Sequence, residues 1–204
     1  MEEMNPLSQA IVAGNLEQTQ QLVRQALAEG MDTQTLINDY LTTGMAEIGQ
    51  RFQDRKAFVP NLLMSARAMK GALEILKPYM TEETEPRLGT IVIGTVKGDL
   101  HDIGKNLVAS MLEGCGFEVF NIGVDISSDR FIEAAREHRA DILCMSALLT
   151  TTMTHMKEVI DALRASDLAG RVKVLVGGAP VTEGFARTIG ADGYSSNANN
   201  AVLM

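Results

Sequence analysis

Tryptophan is absent from this chain of 204 residues, cysteine occurs twice, histidine three times, and there is no excess of positive charge. Each shortage excludes something. Cys115 and Cys144 form neither a CxxC pair nor a disulfide framework, so a reduced cytoplasm suits the chain best. A net charge of −8 leaves too little basic surface to displace counterions from a phosphate backbone, and no nucleic-acid partner is expected. No apolar run approaches the roughly 20 residues needed to span a bilayer, so no membrane partner is expected either. The opening MEEMNPLSQ lacks the basic and apolar regions of a signal peptide. What is present is an ordinary globular composition, 46% hydrophobic and 22% charged, with 12 methionines that serve first as flexible core filler.

Two periods divide the chain. Residues 1–80 read as helices with short joints, which predicts a small four-helix bundle. Asn5-Pro6, Asn15 and Asp32 stand where helices begin. Leu36, Ile37, Tyr40, Leu41, Met45, Ile48 and Phe52 line one stripe, and a fourth helix follows a connection around Ala57–Pro60. TEETEPRLG, residues 81–89, is polar and broken by proline, and reads as a linker that could act as a hinge. From 90 to 204 the apolar runs Ile91–Val96, Val119–Ile122, Ile142–Met145 and Val172–Val176, with a weaker one at Ala191–Ser195, alternate with helical stretches. That alternation predicts a parallel sheet covered on both faces.

In such a sheet, ligands bind beyond the carboxyl ends of the strands. Those ends carry GDLHDIG, SALLTTT (Ser146–Thr152) and GGAP (Gly177–Pro180), so glycines and hydroxyls gather around one histidine. A catalytic edge and a plain scaffold edge both fit. Gly177-Gly178 serves equally as a tight turn, Ser146 and Thr152 as helix caps, and Asp102 as the cap of the helix beginning near Ile103. His101 differs from an ordinary loop histidine because Asp99 stands two residues before it. A carboxylate that accepts one ring N–H fixes the tautomer and turns the other nitrogen into a ligand.

Three chemistries fail on spacing or number. Gly94, Gly98 and Gly104 do not make a dinucleotide GxGxxG. Zinc would need three or four ligands. HDIGK resembles the His-Asp phosphohydrolases over five residues only, and those need further ligands on an all-helical fold.

Gly98-Asp99-Leu100-His101-Asp102-Ile103-Gly104, followed by Ser146 and Leu148 and then by Gly177-Gly178, resembles the DxHxxG…SxL…GG signature of cobalamin-binding domains. GMAEIGQRFQDRKAFVPNLLMSARAMKGAL, Gly44–Leu73, is similar to the helical cap of the methionine-synthase type. Over nearly its whole length the chain resembles the free-standing corrinoid methyl carriers of methyltransferase systems.

The resemblance implies a flavodoxin-like (Rossmann-type), doubly wound parallel five-stranded α/β domain at 90–204 behind an all-α cap at 1–80. It implies a cobalamin or related corrinoid as cofactor, methylcobalamin in the charged state, with His101 as the cobalt ligand in place of the cofactor's own base. Asp99 would bond the far side of that ring. Thr152, six places after Ser146, would complete the relay where methionine synthase has a serine. Ser146, Leu148, Thr150, Gly177 and Gly178 would line the slot for the displaced nucleotide tail, with Tyr194 and Ser195 touching it. Phe52, Val59 and Leu62 would cap the upper face, although their periodicity alone reads as bundle core.

The implied role is that of a shuttle, with no full turnover alone. It would visit one methyltransferase that methylates the cobalt and a second that passes the methyl group to a folate or thiol, and a reductive activase is a further implied partner. Asp99→Asn is expected to keep the cofactor but alter its pH response. Two rivals share the signature: the cobalamin subunit of a carbon-skeleton mutase, and a cobalamin-based sensor or regulator. A receiver domain shares the topology but needs an acidic cluster that the first strand's end lacks.

Overall fold

The computed structural model describes residues 4–80 and 89–203, which fall into two compact units, one helical and one built on a sheet. The linker expected at 81–89 lies outside the described residues except for Gly89.

In the helical unit the expected caps are in place. Asn5 accepts a hydrogen bond from the Leu7 amide with Pro6 in the first turn of α1 (Pro6–Val12). Asn15 accepts from the Gln18 amide at 3.1 Å and opens α2 (Leu16–Ala28). Asp32 accepts from the Thr35 amide at 2.9 Å. From there the chain does not run as the single α-helix its stripe predicts. A short turn, α3 (Thr33–Thr35), passes into a π-helical stretch (Leu36–Leu41) and then α4 (Thr42–Gln53).

The stripe conceals the wider turn because Leu36, Ile37, Leu41, Met45 and Ile48 remain buried through it. Close packing marks the place. The Tyr40 carbonyl accepts from the buried Ser8 hydroxyl at 2.8 Å, and a Cβ on Gly44 would stand 2.7 Å from Ile11 Cβ. α5 (Val59–Leu76) starts earlier than the sequence suggests, with Pro60 inside its first turn, where a missing N–H leaves no helical bond unmade. Leu7, Ile11, Val23, Leu36, Leu62, Met69 and Leu76 fill the core of this unit.

The second unit is a five-stranded sheet, every pairing parallel, in the order β2-β1-β3-β4-β5. Its strands are β1 (Thr90–Thr95), β2 (Glu118–Asn121), β3 (Ile142–Ser146), β4 (Lys173–Gly177) and β5 (Gly193–Ser195). Between and after them lie α6 (Ile103–Gly114), α7 (Ser128–Glu137), α8 (His155–Arg164), α9 (Glu183–Ile189) and α10 (Ala198–Leu203). Alternate strand residues feed two cores. Val92, Leu143, Met145 and Val174 pack with Phe131, Met156, Ile160 and Ile189 on one face. Ile91, Ile93 and Cys144 pack with Ala109 and Leu112 of α6, and with Val202 of α10, on the other. The sheet is therefore doubly wound in the flavodoxin-like order, and the strand order reverses between β1 and β3, which places a crevice at their carboxyl ends.

Both cysteines are free. Burial pushes the Cys144 thiol up to about 12 and the Cys115 thiol to about 11, so neither is a nucleophile near neutral pH. Among the described residues, no helix is long and apolar enough to cross a membrane.

Candidate functional site

The turn that leaves β1 is held by backbone and side-chain hydrogen bonds. Gly98 adopts a left-handed φ of +77°, and its amide donates to Asp125 Oδ1 at 2.7 Å. That conformation drops Asp99 inward, where its side chain is fully buried. Four donors then converge on two oxygens. Oδ1 accepts from His101 Nδ1 at 2.7 Å and from the His101 amide at 3.1 Å. Oδ2 accepts from the Leu148 amide and from the Thr152 hydroxyl, each at 2.7 Å.

Burial alone would raise the Asp99 acid. The Leu148 amide, the Thr152 hydroxyl and the two His101 donors outweigh it and hold the carboxyl well below the usual carboxylate range. With Asp99 ionised, His101 Nδ1 carries the proton, and a neutral ring keeps its lone pair on Nε2. The ring is half exposed, 52% of its side-chain surface remaining open. The buried Thr95 hydroxyl donates to the His101 carbonyl at 2.9 Å, so the peptide is fixed on both sides.

The other residues singled out from sequence take varied places. Leu100 and Ile103 are exposed, Ile103 by 87%, and Leu148 and Leu149 are exposed on the loop after β3. Asp102 opens α6 with its carbonyl, which accepts from the Asn106 amide, while its carboxylate accepts from Asn106 Nδ2 at 3.0 Å. A Cβ on Gly104 would meet nothing within 4 Å. Ser146 closes β3 beside Gly177 of β4, and Thr150 is exposed.

Gly178, with a φ of +132°, lets the backbone approach so closely that a Cβ would collide with the Ala147 carbonyl. Tyr194 and Ser195 are half-buried in β5, and the Ser195 hydroxyl donates to the Asn197 carbonyl. Phe52, Val59 and Leu62 belong to the helical unit. Phe52 is half-buried, Val59 is exposed near Phe58, Leu63 and Met64, and Leu62 is core at 1% exposed. Leu62 thus lies in the core of the helical unit.

Sequence reasoning missed Thr95, Lys105, Asn121 and Asp125, all of which bond to the turn or to the helix that follows it. None belongs to a spacing motif. The one visible signal was polarity at strand ends and in the first turn of α6.

A flavodoxin-like sheet that presents one oriented imidazole at its switch point defines a class of protein: a domain that offers a single nitrogen ligand. The B12 binding domain family matches residues 89–203, and a second family of the same description matches residues 4–77. Trimethylamine corrinoid protein 2 of Methanosarcina acetivorans is 43% identical over 188 residues, 91% of this chain and 87% of that one. The dimethylamine corrinoid protein of Methanosarcina barkeri is 43% identical over 202 residues, 98% of this chain and 94% of that one.

Among solved structures, a cobalamin-binding protein from Desulfitobacterium hafniense DCB-2 aligns with a TM-score of 0.84 at 33% identity, covering 100% of this chain and 97% of that one. The methanol:cobalamin methyltransferase complex MtaBC from Methanosarcina barkeri aligns with a TM-score of 0.80 at 31% identity, covering 97% of this chain and 76% of that chain. The chain belongs to the B12-binding corrinoid proteins of methyltransferase systems.

The residues present fit that cofactor. Among the described residues, no cluster of three or more His, Cys, Asp or Glu side chains could hold a bare metal ion. A single imidazole suffices only for a metal that brings its own equatorial nitrogens, as cobalt in a corrin does. The exposed Leu100 in the turn after β1, Ile103 at the start of α6, and Leu148 and Leu149 on the loop after β3 offer apolar side chains suited to a flat, largely apolar macrocycle.

Proposed function

We propose that the protein accepts a methyl group from one methyltransferase and surrenders it to a second, which passes it to a folate or thiol. A reductive activase would be a further partner. The observation that carries this reading is the Asp99–His101 pair with Leu148 and Thr152 behind it. His101 would hold the corrinoid through Nε2, and the cobalt, when bound, would supply the nucleophile and leaving-group chemistry of methyl transfer.

Asp99 fixes the ring's tautomer and orientation. Thr152 keeps Asp99 ionised by donating to it. Were a proton to take the place of the metal on His101 Nε2, the ionised Asp99 would stabilise the resulting cation. Ligation and proton uptake are thereby coupled. Ser146, Leu148, Thr150, Gly177 and Gly178, with Tyr194 and Ser195 beyond them, would line the nucleotide-tail slot, where glycine and small hydroxyl residues leave room.

In this reading residues 1–80 are a cap domain, 81–89 a linker and 90–204 the cobalamin-binding domain. The exposed Phe58, Val59, Leu63 and Met64 give the helical unit an apolar surface for that purpose. The methyl donor is a property of the loading partner, since relatives named for trimethylamine and for dimethylamine are equally similar to this chain.

The test is a visible spectrum of protein reconstituted with hydroxocobalamin, beside His101→Ala. Wild type should retain one corrinoid through desalting with a nitrogen-ligated spectrum that the variant lacks. Failure of both to bind corrinoid would sink the carrier role.

A further inference from the structure

Among the described residues, the sheet unit buries two charged side chains, Asp99 and Lys105, and the carrier reading uses only the first. Lys105 lies in the first turn of α6 and is 3% exposed. Its Nζ donates to Asn106 Oδ1 at 2.9 Å and to Asn121 Oδ1 at 2.5 Å. Asn121 ends β2, and its Nδ2 donates back to Asn106 Oδ1 at 2.9 Å, which closes a ring of three side chains. Asn106 extends the ring to Asp102 at 3.0 Å, and the Gly123 amide donates to Asn121 Oδ1 at 3.2 Å.

The placement of this network is its significance. Asp99 ties the turn after β1 to the loop after β3, on one side of the switch point. Lys105 ties the helix that leaves the same turn to the end of β2, on the other. His101 and Asp102 lie between the two anchors. A buried amine with neutral acceptors is a costly way to fill space, because an apolar side chain would avoid its desolvation. Burial pulls the Lys105 proton affinity down, and the charge of Asp102 only partly restores it. Three donors on a four-carbon stem do offer what an apolar residue cannot, a directional link between a helix start and a strand end.

We propose that Lys105 is a positioning residue for the cobalt ligand: through Asn121 and Asn106 it holds the start of α6 against β2, so that the His101–Asp102 segment keeps the orientation in which His101 ligates. The proposal rests on His101 being the ligand, and its test separates the two ideas. Lys105→Met, Asn121→Ala and the double variant are reconstituted with hydroxocobalamin beside wild type and His101→Ala. The Co(II) form is then read by electron paramagnetic resonance for nitrogen splitting from an axial ligand, together with corrinoid stoichiometry and thermal midpoint.

Lys105→Met should keep one corrinoid, yet lower the ratio of His-ligated to unligated cobalt by about tenfold, the scale seen when a ligand loses its support. Asn121→Ala should do the same, and the double variant should add little, because both act through one link. A purely structural lysine would lower the thermal midpoint and leave that ratio untouched, which overturns the proposal. Should Lys105→Met fail to fold, wild-type ligation in Asn121→Ala overturns it equally. Wild type indistinguishable from His101→Ala would overturn the ligand assignment itself, and the proposal with it.

Discussion

The helical unit and the sheet unit both bury hydroxyls, but only the sheet unit, among the described residues, also buries charges. In the helical unit the buried polar side chains among the described residues are hydroxyls: Ser8, Thr19, Thr33 and Ser65. Ser8 and Ser65 donate to carbonyls of neighbouring helices, and Thr19 Oγ1 has no hydrogen-bond partner among the described residues. In the sheet unit a carboxylate and an amine are buried, one in the turn after β1 and one in the first turn of α6, and each is enclosed by hydrogen bonds. Burying a charge costs several kcal/mol unless bonds compensate it, so a fold tolerates the expense where the charge has a task. Hydroxyls in the bundle serve packing. The charges under the turn serve orientation.

The largest effect that could break this contrast belongs to the bundle. Leu62→Ala should cost about 3 kcal/mol of stability, the usual scale for emptying a leucine site, and should leave His101 ligation unchanged. Thermal unfolding and the corrinoid spectrum read the two quantities separately. An altered spectrum in the folded variant would return Leu62 to the ligand site and erase the distinction between the units.

Asp99→Asn sharpens the contrast from the other side. The carboxylate receives four donors with two oxygens, and an amide offers one oxygen and one NH2. If the oxygen keeps the buried Leu148 and Thr152 donors, the NH2 faces His101 Nδ1, which must become an acceptor. The ring proton then moves to Nε2 and removes the lone pair that would bind metal. The variant should retain corrinoid with most of its His ligation gone, and the proton uptake that accompanies loss of ligation should vanish with it. Co(II) spectra across pH check both outcomes. A wild-type pH response would show that the charge of Asp99 is not what couples the two.

Much of this site was legible because glycine, histidine and carboxylate stand at fixed intervals in one continuous stretch. Gly98, Asp99 and His101 work through the turn they share, so sequence spacing and spatial distance agree. Thr152 was legible only through the resemblance, since its 2.7 Å bond to Asp99 depends on β1 and β3 being neighbours. Lys105 and Asn121 had no signal beyond their polarity, because a bond between a helix start and a strand end follows from sheet order, which no local pattern carries. The π-helical stretch was hidden for a different reason. Its extra residue is absorbed without exposing the apolar stripe, so periodicity cannot register it. Leu62 could not be assigned from its period, because a core stripe and a ligand-facing stripe share it, and the structure places it in the core of the helical unit.

The smallest effect tests how firmly the buried charge is held. Asp99 has a folded-state acidity stronger than its unfolded value, so its ionisation stabilises the fold above the unfolded pKa of about 3.9, and that stability drains as pH falls further. Thr152→Val removes one donor to the carboxylate without changing side-chain size. Oδ2 keeps the Leu148 amide, so the loss should be about 1 kcal/mol at neutral pH. The sign of the pH dependence follows. With one donor fewer, Asp99 takes up a proton at higher pH than in wild type, and the two proteins converge in acid, where neither holds the charge. Thermal midpoints of wild type, Thr152→Val and Thr152→Ser, followed from neutral pH down through the depressed folded-state pKa of Asp99, well below its unfolded value of about 3.9, decide it, the serine variant following wild type because it keeps the hydroxyl. A gap between wild type and the valine variant that persists unchanged into acid would mean that Thr152 matters for packing alone, as the hydroxyls of the helical unit do.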